Sequence, residues 1–158
     1  MNTTLNKFVK GFIDVAFIIG IMLELAVPFT LKPAVKLTMK VLGAETEYAK
    51  ILDHYTYAVV SIMLVGLCSL LILFELKKMM KTVIDDDCFV LSNVKSLSRM
   101  ATYAFAVTFF KLLRCAVYFT PAAIIVAGVF AFAGLLSKVL AMVFEKAVNY
   151  KLENDLTI

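Results

Sequence analysis

Four apolar stretches, each about as long as a bilayer is thick, occupy most of the 158 residues and constrain the fold before any site is considered. They cover residues 12–31, 55–76, 101–119 and 122–144. A helix needs about 20 mostly apolar residues to cross a hydrocarbon core of about 30 Å. Inside that core every backbone amide must find its partner within the segment, which leaves helices or closed barrels as the spanning structures. Runs of this length predict helices. The expected fold is therefore all-α: an integral-membrane four-helix bundle with short loops, forming a single four-span domain over residues 1–158, with the lipid bilayer as its main partner.

Composition agrees with that class. Hydrophobic residues make up 62% of the chain and charged residues 18%, with a mean hydropathy of +0.92. A soluble domain carries closer to half apolar and a quarter charged residues. The connections between stretches are too short to hold a separate soluble domain. The net charge is +4, but the cations lie mainly beside the apolar stretches and no aromatic-interleaved basic face follows from their spacing, so direct contact with nucleic acid is not expected. Cys68, Cys88 and Cys115 form neither an even framework nor a ligand pattern and read as free thiols. The first stretch contains Asp14 and Glu24 and lacks a small-residue cleavage pattern, so it reads as a mature helix.

Lysine and arginine collect on the cytoplasmic side of short membrane loops. One face carries Lys7, Lys10, Lys77, Lys78, Lys81, Lys95, Arg99, Lys146 and Lys151; the other carries Lys32, Lys36, Lys40 and Lys50. Both termini and the middle connection are thus expected in the cytoplasm. On the opposite face, Pro28 and Pro33 predict a break at the end of the first helix. The alternation of Val35, Leu37, Val41 and Leu42 with Lys36 and Lys40 suits either a short surface helix ended by Gly43 or a solvated loop. Thr120 and Pro121 predict a tight hairpin between the last two spans. In the middle connection, Asp85 to Asp87 are expected to stop the second helix, and a new one should start near Ser92 with Val94, Leu97 and Met100 on an apolar face opposite Lys95 and Arg99.

Ionisable residues inside a span are functional candidates by default. Glu24 lies at a helical depth similar to Lys111 and Arg114, so an intramembrane polar pair of Glu24 with Lys111 or Arg114 is expected. Its role reads as a helix-to-helix ion pair or, alternatively, as part of a small transporter or channel component. Asp14 is close enough to the span's end to reach the interface, and Lys111 and Arg114 could also snorkel to theirs. No catalytic constellation, metal site or cofactor is expected. His54, the one histidine, reads as a surface residue, the three aspartates lack the glycine and distal glutamate of a calcium loop, and no phosphate loop or nucleophile motif occurs. The chain is not expected to be an enzyme.

Two strings are more specific than the spans. FVLSNVKSLSRMA, residues 89–101, and LENDLTI, residues 152–158, resemble motifs of a bacterial membrane-protein family catalogued as domain of unknown function 2975. By position, Phe89, Asn93, Val94, Lys95, Leu97 and Arg99 match the middle motif, and Glu153 to Ile158 match the family's ENDLTI ending. The chain departs from the family pattern at Cys88, Ser92, Ser96 and Ser98, where proline, glutamate and basic residues are frequent. The family's activity is not established, but its genes commonly stand beside one for a small helix-turn-helix regulator. The resemblance implies an uncharacterised regulatory membrane partner of such a regulator, in the bacterial cytoplasmic membrane. The expected partner-binding residues are Phe89, Asn93, Val94, Leu97, Arg99, Glu153, Asn154, Asp155, Leu156 and Ile158. Association with further copies of the chain is left open.

Overall fold

A computed structural model describes residues 3–42, 45–117 and 119–155. Its helices are α1 (Thr3–Leu42), α2 (Glu45–Asp53), α3 (Tyr55–Ile84), α4 (Leu91–Val117) and α5 (Pro121–Asp155). Of these, α1, α3, α4 and α5 are each long and apolar enough to cross a membrane, and the protein is an all-α helical bundle. The long helices pack on one another, among the described residues, only in chain order, α1 on α3, α3 on α4 and α4 on α5. Among the described residues α1 does not touch α4 or α5, so the bundle is an open row with α1 and α5 at its edges.

The contacts step along each pair in opposite directions. Between α1 and α3, Asp14 meets Lys77, Phe17 meets Phe74, and Gly20 and Glu24 lie against Leu70 and Gly66. Between α4 and α5, Lys138 meets Ser98 and Ala127 meets Thr108. Consecutive spans are therefore antiparallel, as short connections require. The start of α1, the end of α5 and the 85–90 connection share one end of the row, here called the basic end. The α1–α2 corner and the α4–α5 hairpin share the other, the loop end.

The expected break at Pro28 and Pro33 does not occur. Both prolines lie inside α1, which continues for 40 residues, about 60 Å at the usual rise and well beyond a hydrocarbon core. Two features hold the extension in place. The Tyr55 hydroxyl donates to the Pro28 carbonyl at 2.6 Å, close to where proline interrupts the ladder. Beyond it, Val35, Ile51 and Ala58 bury together with Leu31, Met39, Leu52 and Tyr57, which clamps the end of α1 between α2 and α3. Lys32 lies over the Tyr55 ring, 4.4 Å from its centroid, at the same corner.

The other end signals behave as the residue types dictate. Helix α3 runs past Lys77 and stops at Asp85, whose amide donates to the Lys81 carbonyl. Asp86 then takes a left-handed φ of 55°, a conformation aspartate tolerates better than most residues, and the chain turns. At the loop end, Pro121 occupies the first position of α5, and the Ala123 amide donates to the Thr120 carbonyl.

Candidate functional site

The basic end of α3 and α4 holds a polar cluster centred on Glu75, which is only 3% exposed. Its carboxylate accepts from Ser96 Oγ at 2.7 Å through one oxygen, and from Lys78 Nζ at 3.1 Å and Arg99 Nη1 at 3.3 Å through the other. Ser96 is buried, whereas Lys78 and Arg99 keep about half of their side chains exposed. A buried carboxylate is costly unless paired and hydrogen-bonded, and here both oxygens are occupied. One turn nearer the start of α4, Asn93 donates through Nδ2 to Thr82 Oγ1 at 2.7 Å and to the Cys88 carbonyl at 2.8 Å. Asn93 thus fastens the end of α3, the 85–90 connection and the start of α4 with one side chain.

The same connection is tied to α5. Phe89 meets Phe144 with ring centroids 5.4 Å apart, and Lys151 pairs with Asp87 at 2.9 Å. Between these contacts lies an apolar cleft of about 250 Å³, lined by Phe89, Val90, Leu91, Val148, Lys151 and Leu152. Phe89, Leu91 and Leu152 are each about half exposed at its mouth. Phe89, Val90 and Leu91 of the middle motif and Leu152 of the tail therefore share one surface.

Within the middle motif the expected roles divide. Phe89 and Arg99 are exposed and Val94 is half-buried, but Asn93 and Leu97 are buried at 2% and 5% exposure and cannot face a partner directly. This corrects their assignment as contact residues. The apolar period of Val94, Leu97 and Met100 identifies only part of the inward face, because Asn93 and Ser96 are drawn inside by the polar atoms of Thr82 and Glu75. Glu153 and Asn154 are exposed on the last turn of α5. The side chain of Asp155, together with Leu156 and Ile158, lies outside the described residues.

The pairing expected of Glu24 with Lys111 or Arg114 is not formed. Helix α1 lies against α3 and does not reach α4. The Glu24 carboxylate rests on Gly66 of α3, in space that any side chain at 66 would need. Arg114 instead donates to Thr120 Oγ1 at 3.1 Å, across the α4–α5 hairpin. Equal depth along two helices does not make them neighbours in a row where another helix stands between. Asp14, expected to reach the interface alone, pairs with Lys77 at 2.9 Å.

Sequence reasoning passes over Glu75, Thr82 and Ser96. The available signal is an acid one residue before the end of an apolar run, with Lys78 three positions later on the same helical face. That spacing marks Glu75 as paired, but its cross-helix partners need the register of α3 against α4.

Compared with known protein families, residues 39–158 match the family described as "Protein of unknown function (DUF2975)". The chain belongs to the DUF2975 family. No curated protein and no solved structure matches it. The match takes in the Glu75 cluster, the middle motif, the cleft and the tail of this DUF2975 protein, while most of α1 lies ahead of it.

Proposed function

We propose that this DUF2975 protein is a regulatory membrane protein that holds a small helix-turn-helix regulator at the cytoplasmic face of the bacterial membrane. The observation that supports this reading is the meeting of both family motifs at one apolar cleft, with Phe89, Leu91 and Leu152 open at its mouth. A soluble partner presenting an apolar side chain would cover surface that is otherwise exposed beside water. The lysine and arginine balance supports a cytoplasmic position for this end, and the neighbouring regulator genes of the family supply the class of partner. The partner carries the DNA contact, and the membrane protein controls where that partner resides.

The test is crosslinking capture from intact membranes, with and without residues 152–158. Deleting the tail removes Leu152 from the cleft and trims only the last turn of α5 beyond the apolar run 122–144, so insertion and bundle stability are expected to stay unchanged while capture of the regulator and regulated transcription fall. Normal capture and unchanged transcription by an inserted, truncated protein would sink the proposal.

A further inference from the structure

A second pocket opens on the same end of the molecule, about 230 Å³ in volume, between the end of α3 and the start of α4. We propose that it binds a phosphate-bearing group. Lys78, Lys95 and Arg99 line it together with Ser92, Ser96 and Thr82. The charge inside is unbalanced. Glu75 answers Lys78 and Arg99 through a single shared oxygen, while no carboxylate among the described residues lies within ion-pair distance of Lys95. Three cations and one buried anion leave a net positive pocket.

The cluster that creates this excess also orders it. Held by the Glu75 carboxylate, the Lys78 ammonium and the Arg99 guanidinium lose much of the freedom of long side chains, so less entropy remains to be lost on binding. Arg99 has five N–H donors and engages Glu75 through Nη1, which leaves donors for a second oxygen-rich group. Ser92 adds a hydroxyl from the first turn of the 27-residue α4, where the leading amides lack intrahelical acceptors and the helix dipole favours negative charge. A tetrahedral group with several charged oxygens suits this convergence of point charges, a planar fork and a hydroxyl.

Position narrows the source. Lys78 stands two residues beyond the apolar run that ends at Leu76, so the pocket sits at the level where lipid headgroups meet water. A headgroup phosphate and a soluble phosphate ester share the required chemistry.

The experiment uses the full chain, purified in neutral detergent and stripped of lipid, with the thermal midpoint followed by circular dichroism. One arm titrates inorganic phosphate against chloride at matched ionic strength. The other titrates micelles containing phosphatidylglycerol against phosphatidylcholine. A rise in the phosphatidylglycerol arm alone identifies a headgroup, and a rise with inorganic phosphate identifies a soluble ligand. Lys95→Ala is expected to weaken the responding arm about tenfold, the loss of one charge-assisted contact. Lys95→Glu should abolish it. Lys81→Ala, which removes a nearby cation outside the pocket, should change it less than about twofold, as expected of a screened surface charge. Lys95 is exposed and has no ion-pair partner among the described residues, so its variants should keep the unliganded midpoint of the parent. No rise in either arm overturns the site, as does a rise that Lys95→Ala leaves intact or that Lys81→Ala weakens equally.

Discussion

Helices α4 and α5 meet through small side chains, whereas α1 meets α3 through charged and aromatic ones. On α5, Ala127, Gly134, Ala141 and Val148 recur every seventh residue, and all four are buried on the helix that, among the described residues, packs against α4 alone of the long helices. The backbones come close enough for Thr108 Oγ1 of α4 to reach the Ala127 carbonyl at 3.2 Å and for the Phe105 ring to lie over Gly134. In lipid, where apolar side chains gain little from leaving one apolar solvent for another, such close approach is a main source of helix association. The α1–α3 contact has the Asp14–Lys77 pair, the Phe17–Phe74 contact, and the fit of Glu24 on Gly66. Among the described side chains of α1, the buried apolar residues are Ile13 near one end and Val35 near the other. The difference teaches that one seam depends on continuous packing, while the other depends on a few localised contacts.

That comparison can be broken most directly at the α4–α5 seam. Ala127→Leu adds volume where no space exists, and overpacking of this kind costs about 1–3 kcal/mol. The loss should appear in denaturant titrations of the full chain in mixed micelles. A variant as stable as the parent would mean that α5 tilts away freely and that the seam is no tighter than the one at α1.

A smaller effect is expected at Glu75, where α3 presents a buried polar group to α4. Glu75→Gln retains a polar atom for Ser96 but removes the charge that holds Lys78 and Arg99, and hydrogen bonds to charged groups contribute about 1.5–3 kcal/mol each net of exchange with water. Because both cations are half exposed and regain water, the net loss should be about 1 kcal/mol, measurable in the same titration. If Arg99→Gln costs as much in the Glu75→Gln background as in the parent, the two side chains are not coupled.

Gly66→Ala should change stability least. The new methyl group meets only the flexible end of Glu24, and a gain of about 1 kcal/mol in helix propensity opposes the displacement. Its consequence is local: a displaced Glu24 should react faster with an apolar carbodiimide, as read by peptide mass spectrometry. Unchanged labelling, or a stability loss larger than that of Ala127→Leu, would show that the α1–α3 contact is as tightly fitted as the other seam.

Part of this was legible in advance. The lengths of the apolar runs predicted four spanning helices, each of which satisfies its own backbone in lipid, and Thr120, Pro121 and the three aspartates marked their turns. The motif strings pointed to Phe89 and to the tail, of which Leu152 lies with Phe89 at one cleft. The prolines in α1 misled because the missing donors at 28 and 33 are tolerated in a helix clamped by Val35, Ile51, Tyr55 and Ala58. Glu24 misled for a different reason: depth along a helix says nothing about which helix stands beside it.

The amino-acid sequence by itself determined the solvent of this protein, its number of spans and their alternating direction, because these follow from hydrophobic length and short connections. Tertiary structure decided which polar residues are partners. Glu75 takes Ser96 and Arg99, Asn93 takes Thr82, and Glu24 takes none of the cations once expected, because lateral order and register place those groups together or apart. A periodic pattern records which face of a helix turns inward, but the atoms waiting there belong to a different helix, and only packing brings them within about 3 Å.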